Sequence, residues 1–192
     1  MKGRLTLLAL TLVAASAGCG AGKAALPAPA APRSTTTAPT SAEAVAATTT
    51  TWTTGTVTVT HNPAVPPVPV VTGIRYAGHA ADGYDRIVFD IPGSLPGYTT
   101  KYVTEVIQDG SGKPVSVPGA YHLTIVLTPA QAHRDNGTVT VSGTHTVNLP
   151  TLKSYAVVSD YEGYVTIALG LNTKHGYHVA ELSNRVYIDV AN

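Results

Sequence analysis

The chain has 192 residues, enough for one domain with appendages and too few for a typical two-domain enzyme. Charged residues make up 12% and the formal net charge is +1, well below the ~25% charged content usual in soluble domains. Residues 70–192 hold 8 of the 12 Lys and Arg but 10 of the 11 Asp and Glu. This slightly acidic part has no basic run and nucleic acid is excluded as a partner, because phosphate affinity comes mainly from clustered Lys and Arg.

Residues 1–18 read as an export signal. Lys2 and Arg4 supply the positive start, and Leu5 to Ala15 is an uncharged apolar stretch of eleven residues. That is shorter than the ~20 residues a bilayer-spanning helix needs. Ser16, Ala17 and Gly18 then lead directly to Cys19, the only cysteine. The run Ala-Ser-Ala-Gly-Cys resembles a bacterial lipobox, with Ser16 where Leu is commonest, and Cys19 is the expected lipidation site. An ordinary secretory cleavage near Ala17, leaving Cys19 as a bare thiol, is the competing reading. With one cysteine the chain forms no intramolecular disulfide and no site built on cysteine metal ligands.

Residues 19–69 are expected to be the lipidated Cys followed by a disordered tether. Positions 20–69 contain 13 Thr, 12 Ala and 8 Pro, with no Ile, Phe or Tyr. Such a segment cannot bury enough apolar surface to offset its chain entropy. Its reach lies between ~40 Å as a coil and ~150 Å as polyproline. Thr56-Val57-Thr58-Val59-Thr60 alternates, so a first edge strand there stays open.

From Val70 onward the apolar period is two. Ile87, Phe89 and Ile91 alternate with Arg86, Val88 and Asp90. Leu123, Ile125 and Leu127, then Val165, Ile167 and Leu169, then Val186, Ile188 and Val190 repeat the pattern. Pro92-Gly93, Asp109-Gly110-Ser111-Gly112, Asn136-Gly137 and Glu162-Gly163 mark turns between them. Residues 70–192 are therefore expected to be an all-β, antiparallel β-sandwich of about 8–10 short strands. The best helical candidate is a single turn after Thr128, with Pro129 in its first position.

No catalytic template fits. There is no Gly-x-Ser-x-Gly elbow, and Gly112-Lys113 is followed by Pro114, which breaks a phosphate loop. His175 and His178 are three apart, which on a strand points them to opposite faces, and no third ligand is marked. No catalytic residue, metal or cofactor is expected. The outward positions are more informative. Tyr84, Arg86, Tyr164, Arg185 and Tyr187 offer flat aromatic faces and guanidinium groups suited to sugar rings, carboxylates or protein partners. They are the candidate ligand-binding residues.

The segments Gly83-Tyr84-Asp85-Arg86-Ile87-Val88-Phe89-Asp90, Pro96-Gly97-Tyr98 with Tyr102-Val103, Gln108-Asp109-Gly110-Ser111-Gly112-Lys113-Pro114-Val115, Leu127-Thr128-Pro129-Ala130, Asp160-Tyr161-Glu162-Gly163 and Asn184-Arg185-Val186-Tyr187-Ile188-Asp189-Val190 together resemble the AMIN-like domain of actinobacterial lipoproteins over about 70–192. Ala80-Ala81-Asp82 lengthens the first hairpin relative to that pattern. The resemblance implies a β-sandwich related to AMIN modules, which target amidases and secretin-type proteins to the envelope through peptidoglycan, and it carries no catalytic residues. The leading expectation is a non-enzymatic module, lipid-anchored on the extracytoplasmic face of the cell membrane, that binds peptidoglycan or another wall glycan, or an envelope protein. A small cell-surface hydrolase or metal-dependent enzyme is the alternative from another class, and a structural lipoprotein without ligand is the third.

Overall fold

The computed structural model describes residues 51–192. The expected signal peptide, Cys19 and the first part of the tether lie outside the described residues. Ten strands follow in order: β1 Val57–Val59, β2 Gly73–His79, β3 Tyr84–Asp90, β4 Gly97–Val103, β5 Tyr121–Thr128, β6 Gly143–Thr146, β7 Leu152–Tyr161, β8 Tyr164–Leu171, β9 Tyr177–Leu182 and β10 Arg185–Ala191. They form two antiparallel sheets, a six-stranded one ordered β1-β4-β5-β8-β7-β6 and a four-stranded one ordered β2-β3-β10-β9. Among the described residues there is no helix long and apolar enough to cross a membrane.

The two sheets bury their alternate residues against each other. Ile87 and Phe89 of β3 and Val186, Ile188 and Val190 of β10 meet Leu123, Ile125 and Leu127 of β5 and Val165, Ile167 and Leu169 of β8 in one cluster. Each large aliphatic side chain so buried contributes roughly 1.5–3 kcal/mol. The period-two pattern of the sequence is this interface. A second, smaller cluster lies on the outer side of the six-stranded sheet. There Val106 and Val117 pack on Ala156, Val158 and Ala168. Asp109 pins the same loop down, its carboxylate accepting hydrogen bonds from Ser159 Oγ and, at 2.6 Å, from Thr166 Oγ1.

Two expectations need correction. The tether does not run to residue 69, because Val57, Thr58 and Val59 pair with Thr100, Thr99 and Tyr98 of β4. Thr53 also exchanges both backbone hydrogen bonds with Tyr177, at 2.9 and 2.8 Å. Residues 53–59 thus fasten to β9 of one sheet and β4 of the other. Val57 and Val59 pack on the main core, which offsets the entropy that the surrounding Thr-rich composition could not. The helical turn after Thr128 does not form either. The N–H of Ala130 donates to Gly163 O and that of Gln131 to Pro69 O, both at 2.9 Å. These distant partners replace the local ones a helical turn would use.

The inserted Ala80-Ala81-Asp82 closes the β2–β3 hairpin. Asp82 N–H donates to His79 O at 2.9 Å, and Gly83 takes φ +77°, a left-handed conformation that favours glycine. This sets the register in which His79 stands opposite Tyr84.

Candidate binding face

The outer face of the four-stranded sheet gathers four of the five expected site residues. On β3, Asp85, Ile87 and Phe89 are buried, so Tyr84, Arg86, Val88 and Asp90 point outward. The register pairs Val88 with Tyr187, Asp90 with Arg185 and Arg86 with Asp189. Tyr84, Arg86, Arg185 and Tyr187 therefore share one surface. Tyr164 does not join them. The Glu162-Gly163 turn places it at the start of β8, which pairs with β5 and β7 in the other sheet. Tyr164 is exposed there beside an exposed Tyr161.

Arg86 is the centre of the face. Its Nε and one terminal nitrogen donate to the two oxygens of Asp189 at 2.6 and 2.8 Å. Its guanidinium carbon lies 4.2 Å from the Tyr187 ring centroid and 5.2 Å from that of Tyr84. Cation–π contacts of this kind contribute ~0.5–2 kcal/mol each, and the fork to Asp189 fixes the plane. Asp189 is only 4% exposed, so this ion pair is a desolvated one whose partners depend on each other. The hydrogen bonds to Asp189 raise the Arg86 pKa above its already high ordinary value.

Sequence reasoning missed three residues of the surface. His79 stacks on Tyr84 with ring centroids 4.6 Å apart. Trp52, 39% exposed, lies with its ring centroid 6.3 Å from that of Tyr84. Arg75, opposite Val88 in the register, donates to both oxygens of Asp90 at 2.6 and 2.7 Å. Those bonds, above all, hold the Asp90 carboxyl below the usual range, against a smaller opposing effect of burial. Arg75 was visible as an alternating partner of Ile74. Trp52 had one clue: it is the only large aromatic in a segment without Phe or Tyr.

The face is graded along the strands. Trp52, His79 and Tyr84 make an aromatic end, and Arg75, Asp90 and Arg185 make a charged end about two residues beyond Tyr187. Between them lies a shallow cavity of about 270 Å³ lined by Arg75, Ala77, Arg86, Val88, Arg185 and Tyr187, among others. A floor of Val88 and Ala77 under an aromatic wall and guanidinium edges suits the flat, partly apolar face of a sugar ring. The histidines do not form a metal centre. His178 faces Asp189 at 4.0 Å, whereas the His175 carbonyl accepts a bond from Tyr102. Among the described residues no group of three or more His, Cys, Asp and Glu is placed to hold a metal ion. His133 Nδ1 sits 2.5 Å from Asp160 Oδ2, a pair with no hydroxyl nucleophile hydrogen-bonded to it among the described residues.

A helix-free sandwich with one aromatic and guanidinium face open to solvent has the build of a binding module. The family model of the AMIN-like domain matches residues 69–192, and the chain belongs to that family. Its members are generally non-catalytic modules of the cell envelope associated with peptidoglycan, which gives this chain an extracytoplasmic envelope setting. Neither the curated proteins nor the solved structures give a match to the chain.

Proposed function

We propose that this protein is a lipid-anchored, non-enzymatic module of the cell envelope that holds wall glycan on the outer face of its four-stranded sheet. Acyl chains on Cys19 anchor it, and the segment after Cys19 lets the domain reach wall polymer. The observation that carries the reading is Arg86 clamped between Tyr84 and Tyr187, beside a cavity of about 270 Å³. An aromatic–guanidinium platform of this kind binds rings by stacking and directs their polar edges to fixed donors. Single contacts of this sort are weak, so the affinity for one glycan segment is micromolar to millimolar, about −4 to −8 kcal/mol. Repeated sites along the polymer raise retention by avidity.

The test is sedimentation of the chain from residue 20 onward with insoluble peptidoglycan. Wild type pellets, and Tyr187→Ala, still folded at the assay temperature, pellets several-fold less. Wild type in the supernatant at low and moderate salt removes wall glycan as the ligand and leaves an envelope protein as the partner. Equal retention of Tyr187→Ala keeps wall binding and rejects this face.

A further inference from the structure

The three arginines of the face are not equivalent. Arg86 spends its fork on Asp189 and Arg75 spends its fork on Asp90. Arg185 donates through Nε to its neighbour Asn184 at 2.8 Å and approaches Asp90 Oδ1 only at 3.9 Å, beyond hydrogen-bond distance. Its terminal nitrogens have no hydrogen-bonded acceptor among the described residues. The surface therefore carries Arg75, Arg86 and Arg185 against Asp90 and Asp189, and the positive charge left over sits on Arg185. That residue is no loose surface arginine, since its side chain is 31% exposed and it lines the cavity with Val88 and Tyr187.

We propose that Arg185 is a carboxylate seat, and that the face selects an acidic saccharide ligand, a sugar ring bearing a carboxylate, over a neutral glycan. This inference rests on the reading of the outer face as the binding surface. The ring lies on Val88 and Ala77 against Tyr187, and the carboxylate reaches the terminal N–H groups of Arg185, which match its two oxygens. Asp90 does not repel it strongly, because Arg75 already neutralises that carboxylate through two hydrogen bonds. The cavity, at about 270 Å³, is below the ~300 Å³ at which drug-sized pockets begin, which fits one ring with its acid substituent. The carboxylate has two sources in a wall polymer, an acid group on the sugar or the terminus of an attached peptide.

The test is NMR titration of the chain from residue 20 onward, following arginine Nε–Hε and backbone amide correlations. The probes are N-acetylmuramic acid, its methyl ester, N-acetylglucosamine and N-acetyl-alanyl-alanine. The acid sugar should shift the Arg185 and Tyr187 signals saturably, with the ester and the neutral sugar at least about tenfold weaker, the size expected for a charge-assisted hydrogen bond. Arg185→Gln should abolish the preference for acid over ester while leaving the thermal midpoint unchanged. A stronger response to the dipeptide than to the acid sugar assigns the carboxylate to the peptide and overturns the acid-sugar ligand. Equal binding of acid and ester, an unchanged preference in Arg185→Gln, or no response to any probe overturns the seat. The sedimentation result stands apart from these outcomes. Pelleting without acid preference keeps the wall reading and rejects the seat, and acid preference without pelleting does the reverse.

Discussion

The guanidinium carbon of Arg86 lies 4.2 Å from the ring centroid of Tyr187, the residue after the neighbour of Arg185 on β10. The two side chains come from strands far apart in sequence, and β3–β10 pairing brings them together. Asp189, opposite Arg86 in the register, then holds its guanidinium through two hydrogen bonds. The aromatic wall and the cation it supports are thus products of sheet register, and any change in that register dissolves the face.

This has a consequence for mutagenesis. Arg86→Ala leaves Asp189, only 4% exposed, without its fork, and stability should fall by about 3–5 kcal/mol. Urea denaturation checks it. A loss below about 1 kcal/mol would show that Asp189 finds water or His178 as a replacement. Binding defects in Arg86 variants therefore reflect the fold, whereas Tyr187, Trp52 and Arg185 report on the surface.

Tyr177 ties the lead-in segment to both sheets. It is fully buried, and its hydroxyl lies 2.5 Å from Gly55 O and 2.8 Å from Thr100 O. Burial pushes its pKa up to about 12, from an ordinary value near 10. The folded state therefore keeps a proton that the unfolded state releases, so the stability this provides is complete below pH ~10 and is lost as pH rises towards ~12. Tyr177→Phe should cost about 1 kcal/mol at neutral pH, the worth of a buried hydrogen bond. It should also flatten the stability loss between pH ~10 and ~12, measured by denaturant midpoints. An unchanged alkaline slope in the variant would assign that loss to other tyrosines, of which Tyr98 is the first candidate because burial and Glu181 also raise its pKa.

Removing residues 51–69 takes away β1, the Thr53–Tyr177 pairing and the packing of Val57 and Val59. A fragment beginning at residue 70 should be less stable than residues 51–192 by on the order of 2–4 kcal/mol. Limited proteolysis of the longer chain should leave a stable core that begins near Thr51. A core trimmed to residue 70 with equal stability would contradict the placement of β1.

Gly170 is held by a close backbone approach. A Cβ there would stand 1.9 Å from Pro118 O, a backbone atom that moves only with its whole loop. Ser154 Oγ donates to the same oxygen at 2.5 Å. Gly170→Ala should cost about 3 kcal/mol or more, read as a drop in thermal midpoint. Wild-type stability in the variant would mean that the 104–118 loop is not seated on β8.

Much of this fold was legible because its core strands are buried on one side. Ile87 and Phe89, Leu123 and Ile125, and Val186 and Ile188 alternate with outward residues, and each pair lies in the core. Strand β6, Gly143–Thr146, is exposed along its whole length and left no such trace. Strand β1 showed only the short Thr56–Thr60 alternation inside a Thr-, Ala- and Pro-rich segment, because only Val57 and Val59 of it meet the core. Alternation also assigns a face within a strand without saying which sheet the strand joins. That is why Tyr164 was grouped with Tyr84 and Tyr187 although β8 lies in the other sheet. Tyr177 gave no outward-facing signal in the sequence, since it is buried where β9 meets the lead-in segment.

Lipidation of Cys19 is checked separately. Cys19→Ala should move the protein from the membrane fraction to the medium and abolish labelling by a fatty-acid probe. Two or three acyl chains are needed for stable anchoring, so partial release is not expected. A variant that stays in membranes, together with an unlabelled wild type, would reject the anchor.

The most direct measurement uses Trp52, the only tryptophan in the chain and one that lies 6.3 Å from Tyr84 at the aromatic end of the face. Soluble peptidoglycan fragments titrated into the chain from residue 20 onward should change Trp52 emission saturably, with a blue shift as the indole leaves water. Tyr187→Ala should weaken that titration several-fold. Fragments that bind by calorimetry yet leave Trp52 emission unchanged would contradict the outer face of the four-stranded sheet as the glycan site.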